Sequence, residues 1–151
     1  MANLLFLDTI YGKIDAKGRV SIPADYRAIV GAQKSELILY ASLTSPCIEG
    51  LCLSVLEQMA DKIDDTFGLF SEQQSDLTSL IFSQAKVFQP DSTGRILLTP
   101  RLIQHAQLTD SAVFTGRGKT FQIWNPQLYE QAQKEAFVRL KSRNFTTGTQ
   151  K

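Results

Sequence analysis

The chain is 151 residues long, 43% hydrophobic and 21% charged, enough for one medium domain or two small half-domains around a shared core. Its opening, MANLLFLDTI, has no basic segment or small-residue cleavage site, and no later apolar run is long enough to span a bilayer, so the sequence reads as cytoplasmic. The formal net charge of +1 is unevenly spread: residues 1–35 hold five Lys/Arg against three Asp/Glu, residues 36–90 two against eight, and residues 91–151 nine against four, which points to one face for an anionic partner and another that stays clear of it.

Phe6 to Ile14 reads as extended, Gly18 punctuates a turn, and the strand pattern resumes in VSI before Pro23. ADYRAIV is a short helix opened by that proline, and ELILY, from Glu36 to Tyr40, a strand. SLTSPCIEG reads as a loop leading into a short strand around LCL. Ser54-x-x-Glu57 has the form of a capping box, followed by Val55, Leu56, Met59, Ile63 and Phe67 at helical spacing until Gly68. Ser71-x-x-Gln74 is a second such start, with Leu77, Leu80 and Ile81 as its stripe. KVF, the turn DSTGR, the strand ILL and the helix-like PRLIQHAQL come next, then two strands around a Gly-Arg-Gly-Lys turn in SAVFTGRGKTFQIW. Asn125-Pro126 is an N-cap with proline at N1, opening a last helix through about Arg139, and the polar SRNFTTGTQK closes the chain.

Cys47 and Cys52 are the only cysteines and His105 the only histidine. A C-x4-C pair without further ligands reads as two reduced, partly buried thiols rather than a metal site, and His105, with no neighbouring signature, as a structural residue rather than part of a nucleophile–histidine–acid arrangement. No cofactor is expected, and with no glycine-rich phosphate loop after a strand an enzyme is the poorest fit.

The organising fact is a repeat: Asp15, Gly18, Arg19 and Val20 recur as Asp91, Gly94, Arg95 and Ile96, each 76 positions later. An Asp side chain accepts hydrogen bonds from backbone N–H groups just ahead of it, and Gly three positions on supplies a positive φ, so Asp15, Gly18, Asp91 and Gly94 read as structural turn residues. Arg19 and Arg95 have two readings, an ion pair back to their own aspartate or contact with phosphate and the O6/N7 edge of guanine. Lys17 at the first tip and Lys13 on its incoming strand favour nucleic acid for the first copy; the second carries Ser92 and Thr93 at its tip and is weaker in charge.

IDAKGRVSIPADYR, DSTGRILLTPRLIQHAQL and VFTGRGKTFQIWNPQLYE together resemble the MraZ family over nearly the whole chain, each half similar to an AbrB/SpoVT-type swapped-hairpin module. The resemblance implies an α+β fold, a β-rich, pseudo-twofold double-hairpin barrel with peripheral helices. It divides the chain into a first half at 1–67, a linking helix at 68–85, a second half at 86–141 and a flexible tail at 142–151. It further implies a cytoplasmic, nucleoid-associated regulator of a cell-division and cell-wall gene cluster, usually a repressor. Its partners would be double-stranded DNA carrying tandem G-rich repeats, bound as a ring-like homo-oligomer, with no membrane and no small-molecule substrate. The family's Asp-x-x-x-Arg pattern falls on Asp15 with Arg19 and Asp91 with Arg95, and its basic loop on Lys13, Lys17 and Arg19. Thr99-Pro100 stands where a proline pair is usual, and Pro90 where an aliphatic residue precedes the second aspartate; both departures touch the second turn. The competing reading is an antitoxin-like or scaffold module of the same fold, binding a protein partner through the C-terminal segment or the exposed faces of the helices at 54–67 and 71–83, although FTTGTQK lacks the apolar and acidic anchors of a partner-binding arm.

Overall fold

Eight short segments, each carrying at least one Ile, Val, Leu or Phe, form strands: β1 Thr9–Lys13, β2 Arg19–Ser21, β3 Leu37–Ala41, β4 Ile48–Cys52, β5 Lys86–Phe88, β6 Arg95–Leu97, β7 Ser111–Gly116 and β8 Phe121–Trp124. Five helices join or cover them: α1 Ala24–Ala32, α2 Leu53–Phe67, α3 Glu72–Ile81, α4 Pro100–His105 and α5 Pro126–Ser142. This computed structural model describes residues 4–143. Among them no helix is long and apolar enough to cross a membrane.

Six strands form one antiparallel sheet in the order β1-β7-β8-β4-β3-β5, and β2 pairs with β6 as a separate ribbon. The fold is therefore α+β as expected, but the sheet is open and no closed barrel forms among the described residues. β1 pairs with β7 and β5 with β3, so each edge strand docks on a strand from the other half of the chain, and the order is unchanged when β1, β3 and β4 are exchanged for β5, β7 and β8. The ribbon obeys the same exchange: Val20 faces Ile96, Ile22 N donates to Gly94 O at 2.9 Å, and Leu98 N donates to Gly18 O at 3.0 Å.

One face of the sheet and the inner side of the ribbon share the main core, where Val20, Ile22, Ile96 and Leu98 meet Leu39, Ile48 and Ile123. Phe6, Tyr26, Phe114 and Phe121 stack there with centroid separations between 5.0 and 6.4 Å. On the opposite face α2 and α3 cover Ile38, Tyr40 and Leu51 through Leu56, Ile63 and Ile81, while Tyr129 of α5 covers Cys47, Val113 and Trp124.

Three local expectations are corrected. Ser54 does not cap α2, which starts two residues earlier than that cap would place it, with Cys52 at the N-cap and no side-chain cap; Ser54 Oγ instead donates to Gln33 Oε1 at 3.1 Å. Ile48 to Gly50, read as loop, belong to β4, where a Cβ on Gly50 would collide with the Phe121 ring. α5 runs to Ser142 and Arg143 is its C-cap, so the polar segment begins inside the helix; its residues from 144 onward lie outside the described residues. Ser71, by contrast, does cap α3, accepting from Gln74 N at 3.1 Å.

Candidate nucleic-acid interface

Each turn is closed by its aspartate. Asp15 Oδ1 accepts from Lys17 N and Arg19 N, both at 2.9 Å, and Asp91 Oδ1 accepts from Thr93 N at 2.9 Å and Arg95 N at 3.0 Å. Gly18 and Gly94 sit at φ of 91° and 85°, where an L side chain is strained, and each N–H returns to the carbonyl of its aspartate. The backbone N–H of Arg19, then its side chain, holds the Asp15 carboxyl down to about 2; the backbone N–H of Arg95, then the Thr93 hydroxyl, does the same for Asp91.

The arginines differ. Arg19 Nε donates to Asp15 Oδ2 at 2.7 Å, which fixes the guanidinium plane and leaves its terminal amino groups without a partner among the described residues. Arg95 Nε lies 3.6 Å from Asp91 Oδ2 and donates instead to Thr93 Oγ1 at 3.1 Å. Thr93, the counterpart of Lys17, has inserted its hydroxyl into the pair, donating in turn to Asp91 Oδ1 at 2.7 Å.

Strand alternation puts Val20 and Ile96 on the buried side of the ribbon and Arg19, Ser21, Arg95 and Leu97 on its outer side. Arg19 pairs with Leu97 and Ser21 with Arg95, so the two arginines are diagonal neighbours, about 7–8 Å apart by sheet geometry. Lys17 stands at the tip of the first turn, and Lys13 ends β1 opposite Ser111; both are exposed.

Sequence reading missed Arg27. Its guanidinium packs beneath the second turn, where a Cβ on Gly94 would come within 2.7 Å of it, and its Nε donates to Ile22 O at 3.1 Å. The residue beneath the first turn is Ile103, 76 positions on from Arg27, so each helix supports the turn of the other copy. The available signal was that repeat offset, at which one copy places a cation and the other an isoleucine.

The remaining candidates sit elsewhere. His105 Nε2 lies 3.2 Å from Ser45 O. Cys47 and Cys52 are free and buried, and burial, then the Glu49 charge, pushes the Cys47 thiol up to about 12, which keeps it protonated and unreactive.

The family described as "MraZ protein, putative antitoxin-like" matches residues 81–150. Similarity to curated relatives spans nearly the whole chain. A protein of Gluconobacter oxydans is 39% identical over 147 residues, 95% of this chain and 88% of its own. One of Gluconacetobacter diazotrophicus is 39% identical over 142 residues, covering 89% and 87%. One of Rickettsia canadensis is 38% identical over 146 residues, covering 93% and 97%. Each bears the name transcriptional regulator MraZ.

Proposed function

The chain belongs to the MraZ family, and from that premise we propose that it is a transcriptional regulator that reads double-stranded DNA through the outer face of the β2–β6 ribbon. The observation that carries this reading is Arg19: its aspartate grips Nε and frees the terminal amino pair, the end that meets guanine O6 and N7. Lys13 and Lys17 supply phosphate contacts that set position, and Arg95 and Arg27 extend the cationic surface around the second turn. The protein works in the cytoplasm on the nucleoid, repressing its own cell-division and cell-wall gene cluster.

One short ribbon offers few contacts. Assembly into a ring-like homo-oligomer sets several ribbons against tandem G-rich repeats and converts weak contacts into avidity. Fluorescence anisotropy on duplexes from the gene's own upstream region, against scrambled duplexes over a salt series, tests the reading. Target-selective binding that weakens as salt rises supports it; equal affinity for both duplexes overturns it.

A second reading is favoured by one feature. At the end of α2, Leu69 is 63% and Phe70 93% exposed, beside Asp65 and Glu72. A protein-interaction module, antitoxin-like or scaffolding, would use such a tip, and loss of DNA selectivity in a folded protein would move the assignment there.

A further inference from the structure

The outer face of β7 and β8 is polar where a helix covers it. Thr115, Gln122 and Trp124 are buried there, and α5 crosses above them with Ala132 and Ala136 on the same side. Small side chains leave such a gap unfilled, and a cavity of about 410 Å³ remains between helix and sheet, within the usual range for small-ligand sites.

Arg117, from the β7–β8 turn, and Arg139, from the last turns of α5, both line it. Neither has a carboxylate within ion-pairing distance among the described residues; the two salt bridges there are those inside the turns. Gln122 is locked between charges: its Oε1 accepts from Arg117 Nη1 at 2.6 Å and Trp124 Nε1 at 2.8 Å, and its Nε2 faces both Glu49 oxygens at 3.1 Å. Glu49 is thus turned toward the amide, and Arg117 keeps its other N–H groups for the cavity. Tyr129 Oη already has Gln133 Nε2 as a donor at 3.0 Å, with the Thr9 and Thr115 hydroxyls at 3.2 and 3.3 Å. A preformed polar lining with two guanidinium groups that have no carboxylate partner among the described residues calls for an acceptor-rich guest.

We propose that this cavity binds a small anion bearing a phosphate or carboxylate group, held between Arg117 and Arg139. The site is separate from the ribbon: the β1–β7 ladder places Lys13 opposite Ser111 and Thr9 opposite Thr115, about 14 Å farther along the strand. The inference does not depend on the DNA-binding reading.

Trp124 is the chain's only tryptophan and lines the cavity, so its emission reports directly on occupancy. The full-length protein is titrated with inorganic phosphate and, separately, with citrate, against chloride at matched ionic strength. A saturable response to phosphate, to citrate or to both, absent with chloride, supports the site and distinguishes the two anion types. Arg117→Gln and Arg139→Gln each weaken it by about tenfold or more, since each removes a charged hydrogen-bond donor. Lys13→Gln leaves it unchanged. Arg139 is on the exposed end of α5, so that variant keeps its fold by circular dichroism even if Arg117→Gln does not. A response no different from chloride, or one that survives in Arg139→Gln, overturns the proposal. So does competition by duplex DNA that is lost with the same arginines, which would put both cations in a nucleic-acid footprint.

Discussion

The two Asp-x-x-Gly-Arg turns have nearly superimposable hydrogen-bond schemes, yet their side chains have parted. The first has a lysine at its tip, an arginine tied to aspartate at 2.7 Å and an isoleucine beneath its glycine. The second has a threonine at its tip, an arginine drawn onto that threonine at 3.1 Å and another arginine beneath its glycine. The backbone of such a turn depends on one carboxylate and one positive-φ residue, so it survives while everything around it changes. The charge of the second turn has moved from its tip to its base.

The largest effect that separates the turns is on DNA discrimination. Arg19→Ala is expected to reduce the preference for target over scrambled duplex by roughly ten- to a hundredfold, the worth of one bidentate guanine contact, whereas Arg95→Ala changes it only a few-fold. Measured side by side by anisotropy, equal losses would erase the distinction between the turns. An Arg19→Ala that weakened both duplexes alike would remove base reading from that residue.

Stability comes next. Alanine at either glycine costs about 1–2 kcal/mol from its φ alone. Gly18→Ala should cost more than Gly94→Ala in urea unfolding: its Cβ meets Ile103 Cδ1 at 2.9 Å and the Leu98 carbonyl at 3.4 Å, whereas at Gly94 only the flexible Arg27 side chain has to move. The reverse order would mean that Arg27 is held rigidly in place.

Smaller still is the salt dependence. Lys17→Ala should lower the slope of log K against log salt by about one, and Thr93→Lys should raise it by about one if the second turn also faces the backbone. No change for Thr93→Lys would confine the footprint to the first turn.

The smallest effect should not separate the turns at all. Both aspartates ionise lower in the folded state than their ordinary 3.8, so each contributes stability that is complete above that value and disappears as pH falls toward about 2. Asp15→Asn and Asp91→Asn should each flatten the acid limb of a stability–pH curve by the same amount; unequal flattening would show that the shared scheme is not equally firm in both places.

What was legible in the sequence was local. Asp15, Gly18 and their copies specify a turn within five residues, and Ser71 finds its partner three positions on, so spacing alone was enough. Ser54 has the same spacing, but Gln33 at the end of α1 captures its hydroxyl, a long-range competitor that a capping pattern does not reveal. Gly50 looked like a loop residue because glycine is poor in strands, and its reason for being in one is an aromatic ring 71 positions away. Arg27 escaped notice because it serves the other copy's turn. The positions of Arg19 and Lys17 were readable from the motif, but the freedom of one guanidinium and the capture of the other depend on a hydroxyl's exact placement, which spacing does not set.

The exchange of edge strands sets a timetable for folding. β1 cannot find its ladder until β7 exists, and Thr9 meets Thr115, 106 positions later. At about 5–20 residues per second of synthesis, the first strand waits roughly 5–20 s for its partner. Through that interval β4 also lacks β8, and unpaired strand edges are what aggregation recruits. Contacts this distant slow folding after release as well. A chain cut short before Ser111 is therefore expected to collect in the insoluble fraction rather than fold as half a protein.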